Sequence, residues 1–559
     1  MNQKLTSLLE IARGEKKAQL VFKNARVVNV YSAEIVECDV AVEGDKIVGV
    51  GSFSGEREID CTDKYLCPGL IDAHLHLEST MVYPSQLVEQ ASLTGTTTFI
   101  VDPHEAGNVA GKAGIDFIID ATENAPGNVY VMVPSCVPAS PYDDNGATLL
   151  AADLATYYNH PRVLGLGELM SSNEIVAGDP VMHAKMEAFK GKILDGHAGS
   201  FDDKKLNAYR FCGVETDHEC TTYQDALREL RCGMYVHIRE GSATKNMDAI
   251  VSGIVENDLV TNRFSFCTDD KHISEIIERG HISYCVRRAV ELGLDPIVAI
   301  QMATINPATC YNLKHLGAIA AGCQADFIIL NNLEHFAIDC VYHRGKRVRP
   351  IENYRIPEVD RALLNTIHLA PYKRADIQLE AKTEMPVINI IDGQILTRKT
   401  VERLPQSDGY FTANREYNKV VVFERHKATG LVGVGALKNY NIKNGAIAST
   451  VSHDSHNLIV VGDNDDDILA CVEKMCEIGG GYCIASGGEI LQAVPLEIMG
   501  LMSRQDYHTV EQNISKTLEH ARTLGVNQQI DPLITLSFLS LTVIPEIRII
   551  PRGVFIVEN

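Results

Sequence analysis

Short apolar runs of strand length recur through residues 70–305 and alternate with segments of helical periodicity. Eight such runs occur: LIDAHLH, TTTFIVDPHE, NVYVMVPSC, RVLGLGELM, KILDGHA, CGVETDHEC, GMYVHIRE and RFSFCTDD. In one intervening segment, TTYQDALRELRCG, the side chains of Ala226, Leu227 and Leu230 share one helical face. Eight strands that alternate with helices over about 235 residues predict a (β/α)8 barrel of the TIM type within an α/β protein.

Two segments that flank the barrel have a purely β-rich pattern. Residues 20–67 and 317–348 both consist of short strands separated by turns. We expect them to form one small β-sandwich domain, because each is too short to bury a core alone. The predicted domains are a composite β-domain (1–69 with 306–350), the barrel (70–305), a connector (351–385) and a C-terminal α/β domain (386–559).

The composition limits the classes of partner. The chain is 45% hydrophobic and 22% charged, with a formal net charge of −22. Such a negative charge argues against nucleic acid or an anionic membrane surface as a partner. No window approaches the roughly 18 apolar residues needed to span a bilayer, and the first residues lack a secretory signal. We therefore expect a cytoplasmic protein, while the charge does not identify a substrate, because local fields in a pocket can oppose it.

The fifteen cysteines are odd in number and contain no C-x-x-C spacing. This pattern is typical of reduced thiols in a reducing compartment. The P-C-x-x-C and H-x-E pair of the small zinc nucleobase deaminases is also missing from the sequence.

Polar residues stand at the C-terminal tips of several predicted strands. His74 and His76 lie two positions apart in the first run, so their side chains point to the same face. The tips of runs four, five, six and eight carry Glu168, His197, His218 and Asp269. Active sites of such barrels are built at this end. Four imidazoles and two carboxylates are costly to bury without a cation, so the set predicts a divalent metal site.

Five further residues are candidates for the wall of the pocket. Glu78 follows the first strand, His104 and Glu105 follow the second, and His237 and Glu240 belong to the seventh. For His104, Glu105, His237 and Glu240, the sequence is equally compatible with a place in the pocket wall and with an ordinary polar loop.

Longer motifs carry a family resemblance. PGLIDAHLHLEST, the residues at the strand tips and GAIAAGCQADFIIL resemble the amidohydrolase superfamily. VDPHEAGN, GLGELM, DGHA, TDHEC, FCTDDKH, YNKVVVFERHKATG and VSHDSHN resemble, more narrowly, the bacterial adenine deaminase family. The resemblance covers nearly the whole chain. It implies hydrolytic deamination of adenine to hypoxanthine and ammonia, in purine salvage, by a metal-activated hydroxide at a binuclear site.

The resemblance also implies ligand roles. The implied sets are His74, His76 and Asp269 for one ion, His197 and His218 for the second, and Glu168 as the bridge. Many superfamily members use a carbamylated lysine as the bridge, but Lys185 and Lys192 lie too close to the fifth strand for that role. Family members use manganese or iron, and carboxylates mixed with imidazoles suit Mn²⁺ or Fe²⁺, with Zn²⁺ as a possibility.

The implied catalytic groups are Asp269, as acceptor of the water proton, and Glu105 or His104, as proton donor to the purine ring. The C-terminal VSHDSHN motif has two interpretations. In the first, His453 and His456 lie on a loop that closes over the pocket or provides a further set of ligands. In the second, the motif is a polar turn bonded to itself.

Other functions share most of these features. A related binuclear amidohydrolase could act on another aminated heterocycle or a cyclic amide, and a catalytically silent homologue could keep the metal site. The size of the chain favours a homodimer or higher homo-oligomer.

Overall fold

The computed structural model describes residues 3–199, 201–242, 244–351 and 354–557. The N-terminal part contains α1 (Gln3–Ala12), β1 (Ala18–Asn29), β2 (Glu34–Glu43), β3 (Lys46–Gly51), β4 (Gly55–Asp60) and β5 (Tyr65–Pro68). One edge of β1 pairs antiparallel with β2, and the other pairs in parallel with β4 and then β5. Helix α1 packs on one face of this sheet through Ile11, against Val21 and Val48.

Eight parallel strands follow and close into a barrel. They are β6 (Leu70–Leu75), β7 (Thr96–Val101), β8 (Asn128–Val133), β9 (Val163–Leu166), β10 (Ile193–Leu194), β11 (Thr216–Asp217), β12 (Tyr235–Arg239) and β13 (Phe264–Cys267). Strands β6 to β10 form one ladder and β11 to β13 a second. The ladders are joined where the Glu215 N–H donates to the Leu194 carbonyl (2.9 Å) and the Asp269 N–H to the His74 carbonyl (3.0 Å). The predicted barrel is confirmed, with one strand in each apolar run.

Helices surround the barrel between its strands. They are α2 (Pro84–Leu93), α3 (His104–Ala110), α4 (Lys112–Ala121), α5 (Ala151–Ala155), α6 (Ser172–Ala177), α7 (Pro180–Ala188), α8 (Asp203–Phe211), α9 (Tyr223–Arg231), α10 (Met247–Glu256), α11 (Ile273–Arg279), α12 (Ile282–Glu291), α13 (Pro296–Met302) and α14 (Ile305–Cys310). Helices α7, α8 and α13 begin after Asp179, Asp202 and Asp295, whose carboxylates accept the first free backbone N–H groups. The segment around α14 closes the bottom of the barrel, where Tyr311 and Leu313 pack with Ile71 and Met132.

Three strands after the barrel return to the first sheet. They are β14 (Phe327–Asn332), β15 (Ala337–His343) and β16 (Lys346–Arg347). Because β14 pairs antiparallel with β5, the sheet order is β16-β15-β14-β5-β1-β2-β3, with β4 beside β1. The domain boundaries stay a prediction. Helix α14, which the boundary at residue 306 divides, packs with barrel residues rather than with this sheet.

The C-terminal part is a second α/β unit. Its strands are β17 (Met385–Ile390), β18 (Thr397–Glu402), β19 (Gln406–Ser407), β20 (Tyr410–Phe411), β21 (Asn418–Phe423), β22 (Val432–Lys438), β23 (Ala446–Ser449), β24 (Leu458–Gly462), β25 (Gly481–Ser486), β26 (Glu489–Pro495), β27 (Ile547–Ile550) and β28 (Gly553–Ile556). Its helices are α15 (Asp465–Ile478), α16 (Tyr507–Thr523) and α17 (Pro532–Phe538). Eight strands form one sheet in the order β18-β17-β22-β21-β24-β23-β25-β26.

This unit packs on the end of the barrel where the strands terminate. The Ser503 N–H donates to the Met81 carbonyl at 2.8 Å. One hydrophobic core contains Met81 and Val109 of the barrel together with Tyr482 and Leu533 of the C-terminal unit. Among the described residues, no helix is both long and apolar enough to cross a membrane.

Candidate metal centre

The predicted ligands on β6, β9 and β13 meet at the barrel mouth. Oε1 of Glu168 lies 2.9 Å from Nε2 of His74 and 2.8 Å from Nε2 of His76. Nε2 of His76 lies 3.1 Å from Oδ1 of Asp269. All four side chains are buried, and their donor atoms are close enough to bind one ion.

A second set of ligands shares Glu168 with the first. Donor atoms of Glu168, His197 and His218 lie within 4.8 Å of one another. The rings of His218 and His74 stack with centroids 3.9 Å apart. Glu168 therefore belongs to both groups of candidate ligands, and the bridging role that the family resemblance implies for it stays a prediction.

The donor chemistry fits divalent cations. Oε1 of Glu168 is buried and makes no aligned hydrogen bond, although two imidazole nitrogens lie within 3 Å of it. Nδ1 of His218 is buried without a partner as well. Carboxylate oxygens and imidazole nitrogens that converge in this way are typical of the ligands around a metal ion. A mixture of imidazole and carboxylate ligands suits Mn²⁺, Fe²⁺ or Zn²⁺. Neither nearby lysine reaches the site, because Lys185 Nζ donates to the Ser135 carbonyl and Lys192 Nζ to that of Val163.

Two aspartates that the sequence analysis did not select orient the ligands. Asp195 Oδ2 lies 2.9 Å from Nδ1 of His74. The Asp102 carbonyl lies 2.8 Å from Nδ1 of His76, and its carboxylate accepts the Glu168 N–H at 2.9 Å. These bonds leave Nε2 of each imidazole free for a metal. Asp195 could have been found, because it lies two residues before His197 in DGHA, where a ligand-supporting side chain would share the same face.

Asp269 is held in a restrained conformation. Its φ of 55° lies in the left-handed region that non-glycine residues rarely adopt. Its second oxygen, Oδ2, accepts from Arg239 Nη1 at 2.9 Å, and Arg239 also pairs with Glu219. Burial opposes ionisation of Asp269, but the charge of Arg239 and the contact with His76 hold the pKa of this carboxyl well below its usual value.

Asp72, the third polar group of the first strand, is not a ligand. Its carboxylate accepts from the N–H (3.2 Å) and the hydroxyl (2.5 Å) of Thr268. It also lies 3.2 Å from Nε2 of His281. Asp72 thus ties β6 to β13 below the metal centre, where the barrel closes.

Two of the predicted wall residues, Glu78 and Glu105, lie beside the centre. Glu78 Oε1 accepts the Ala106 N–H at 3.0 Å. Glu105 Oε1 accepts from Ser79 Oγ at 3.2 Å. Burial, followed by the charges of Asp270 and Glu78, raises the pKa of Glu105 well above its usual range. Next to them is a small cavity of about 20 Å³, lined by Ser79, Met81, Ser242, Asp270, His272, Val451, His453, Tyr482, Ile534, Ser537 and Phe538.

Of the three other predicted wall residues, His104 lies close to Glu168 (3.7 Å), whereas His237 and Glu240 make contacts away from these ligands. His237 lies deeper in the barrel, with Nδ1 2.6 Å from Ser265 Oγ and Nε2 3.1 Å from the Tyr311 hydroxyl. Both of its nitrogens are therefore occupied. The Glu240 carbonyl accepts from Lys271 Nζ at 2.8 Å.

The VSHDSHN segment forms a buried loop between β23 and β24 that faces the barrel mouth. His453 Nδ1 lies 3.3 Å from Glu105 Oε1. Asp454 Oδ1 lies 3.8 Å from Nε2 of His104. His456 is also buried, and its Nδ1 accepts the Ser452 N–H at 3.2 Å. The segment is thus a turn bonded to itself that also contacts both polar residues after β7.

The sequence matches known families over almost its full length. The model of the amidohydrolase family matches residues 65–348, and that of the adenine deaminase C-terminal domain matches residues 394–559. An adenine deaminase of Desulfitobacterium hafniense is 48% identical over 558 residues, which are 99% of this chain and 98% of that protein. Adenine deaminase of Clostridium acetobutylicum is 41% identical over 562 residues (99% and 98%). Adenine deaminase 2 of Carboxydothermus hydrogenoformans is 42% identical over 557 residues (98% and 97%). These matches confirm the predicted resemblance, and the chain belongs to the amidohydrolase family, within the group that carries the adenine deaminase C-terminal domain.

Proposed function

We propose that the protein is a metal-dependent hydrolase that converts adenine and water to hypoxanthine and ammonia. Relatives named adenine deaminase share 40–48% of their residues with it over the whole chain. One observation carries the proposal: this similarity includes both the barrel that forms the ligand cluster and the C-terminal loop that contacts it.

We further propose that two divalent cations, Mn²⁺ or Fe²⁺ with Zn²⁺ as an alternative, occupy the centre. The ligands would be His74, His76, Glu168 and Asp269 for one ion and Glu168, His197 and His218 for the other. Bound there, the cations would supply Lewis acidity that lowers the pKa of a water molecule.

Asp269 is proposed to accept the proton of the attacking water. Its Oδ1 faces the ligand cluster, whereas its Oδ2 is held by Arg239 at 2.9 Å. The guanidinium fixes the carboxylate and offsets its buried charge. It thereby keeps Asp269 ionised and pointed at the place where water would be deprotonated.

Glu105 is proposed to hold a proton for the purine ring. Its Oε1 is fixed by Ser79 Oγ, while its buried Oε2 has no partner among the described residues. His104, next to it, has its Nδ1 3.7 Å from Oε1 of Glu168 and so lies nearer to the ligands. The geometry therefore favours Glu105 over His104 as the donor to the ring.

The C-terminal unit is proposed to exclude solvent during the reaction. The cavity of about 20 Å³ beside the centre holds only about one water molecule. A cavity of about 190 Å³ adjoins it and shares Ser242, Ile534 and Phe538 with it. In this proposal the wall opens for adenine to enter and then closes over it, and Phe538, which lines both cavities, belongs to the part that moves.

The proposal is tested by incubating purified, Mn²⁺-loaded protein with adenine and measuring hypoxanthine and ammonia. Equal amounts of both products are expected. Hydantoin and dihydropyrimidine serve as parallel substrates, because a related amidohydrolase would hydrolyse those instead. Hydrolysis of a cyclic amide without adenine turnover would replace the proposal with that rival, and no hydrolysis at all would favour a silent homologue.

The cellular setting is part of the same proposal. All fifteen cysteines lie in the described part of the chain and are free thiols, which supports a reducing compartment such as the cytoplasm. The product hypoxanthine is a free purine base, which supports a place in purine salvage. A homodimer or higher homo-oligomer is proposed from chain length, and light scattering of the purified protein tests it.

A further inference from the structure

A separate cluster of ligand-type side chains lies where the C-terminal loop meets the barrel. Oδ1 of Asp454 lies 3.8 Å from Nε2 of His104 and 3.8 Å from Nδ1 of His453. One donor atom from each of the three residues lies within 4.8 Å of the other two. His104 comes from the end of β7, whereas His453 and Asp454 come from the loop between β23 and β24.

This cluster is closed off from solvent and lacks a compensating positive side chain. His104, His453 and Asp454 are 3%, 7% and 3% exposed. In the described part of the chain, Asp454 has only these two histidines within ion-pair distance. Its Oδ2 is buried and has no hydrogen-bond partner among the residues that the structure describes. A buried carboxylate without a partner is costly, and a cation would remove that cost.

The cluster is distinct from the six-residue centre. The imidazole of His104 turns Nδ1 towards Glu168 (3.7 Å) and the opposite nitrogen, Nε2, towards Asp454. Ligands that each lie about 2.1 Å from an ion are at most about 4.2 Å apart. The separations of 3.8 Å between Asp454 and each of the two imidazoles therefore suit a small divalent ion bound by the carboxylate and either ring.

We propose that His104, His453 and Asp454 form a third divalent cation site, which joins the C-terminal loop to the barrel. Two imidazoles and one carboxylate suit Mn²⁺, Fe²⁺, Co²⁺ or Zn²⁺, and three protein ligands leave room for water. Because the ligands come from both units, binding of the ion would hold the loop closed over the pocket. The proposal rests on the proposed function in one respect only: the ion at this site is counted in addition to the two ions of the catalytic centre.

The test counts ions per chain. Protein stripped with a chelator is dialysed to saturation against Co²⁺, and bound metal is measured by elemental analysis. Three ions are expected for the unaltered protein and two for Asp454→Asn, a change that keeps the shape of the side chain. Hydrogen exchange of the loop provides a second measurement. Co²⁺ is expected to slow exchange at residues 452–457 in the unaltered protein but not in Asp454→Asn.

Asp143→Asn is the matched control. Asp143 lies in the same interface, and its carboxylate accepts from Thr542 Oγ1 (2.9 Å) and the Ser140 N–H (3.0 Å), so it needs no cation. This variant is expected to bind as many ions as the unaltered protein. The proposal is overturned if the unaltered protein saturates at two ions. It is also overturned if folded Asp454→Asn keeps the full count, since Glu105, His453 and His456 would then be the better ligand set.

The count also separates this proposal from the proposed function. Adenine turnover by a protein that saturates at two ions would reject the third site alone. Three ions without turnover of adenine would reject the deaminase activity and leave the third site in place.

Discussion

The barrel centre and the C-terminal loop face each other across one site, but they are held in place by different means. Each barrel ligand stands at the end of a parallel strand, where alternation fixes its direction. The loop Ser452–Asn457 is held by the buried side chain of Arg425 instead. Its guanidinium donates to the carbonyls of His456, Thr366 (3.1 Å) and Met499 (2.9 Å).

This difference suggests a division of labour. Strand ends supply a rigid set of ligands with supporting hydrogen bonds, which suits metal binding and proton transfer. A loop on a second unit can move while the barrel stays intact, which suits substrate entry and closure. Substitutions in the barrel should therefore change kcat or metal affinity, whereas substitutions in the C-terminal wall should change KM.

The largest effect is expected for Asp269→Asn. Loss of the proton acceptor should lower kcat by about 10²–10⁴-fold. Steady-state adenine turnover and metal content are measured together, with Asp248→Asn as the control, because Asp248 pairs with Arg288 on an outer helix. Near-normal turnover with both ions bound would remove Asp269 from its proposed role.

A smaller effect on the barrel side is expected for Asp195→Asn. This change keeps an oxygen that can accept from Nδ1 of His74 but removes the negative charge that faces it, so metal affinity should fall by about 10–100-fold. Competition with a chelator measures the affinity. Unchanged affinity would show that His74 is oriented without this carboxylate. The proposed contrast between rigidly held barrel ligands and a movable C-terminal loop would then be weaker.

On the C-terminal side, Phe538→Ala is expected to act on KM. The Phe538 ring stacks on His453, with centroids 4.8 Å apart and planes at 22°. Loss of such a contact costs about 0.5–1.5 kcal/mol, so KM for adenine should rise about two- to tenfold. Phe211→Ala, at a site that is 92% exposed, is the control. A fall in kcat with unchanged KM would contradict the assignment of closure to this wall.

The smallest effect is expected for Arg552→Ala. Arg552 in the C-terminal hairpin pairs with Asp144 in a barrel loop at 2.7 Å, and the arginine is half exposed. Partly exposed pairs contribute about 1 kcal/mol or less. The free energy of unfolding, measured with denaturant, should fall by no more than that, and adenine turnover should stay normal. A loss of activity would mean that this ion pair, rather than the packed wall, holds the units together.

The barrel ligands could be predicted because a strand determines its own side-chain directions. The pairing of His74 with His76, and the position of Glu168, follow from alternation and from the strand ends alone. His237 shows the limit of that reasoning. It lies in mid-strand, two residues before Arg239, and therefore one layer deeper, where Ser265 and Tyr311 bond to it.

The C-terminal contribution could not be derived from local patterns. His453 and Asp454 reach His104 only because the second unit packs on the barrel, and that packing depends on a hydrophobic core shared by distant segments. From the sequence alone, pocket closure, a further set of ligands and a polar turn therefore remained as alternatives for this loop. The structure shows a turn that also faces the pocket.

The central claim is that adenine is deaminated by metal held in the barrel cluster. The most direct measurement is adenine conversion by chelator-stripped protein as Mn²⁺ is added back in steps. The account predicts no conversion before addition, and a rate that rises with bound Mn²⁺ until the cluster is filled. Conversion at full rate by stripped protein, or no conversion by the fully loaded protein, would contradict it.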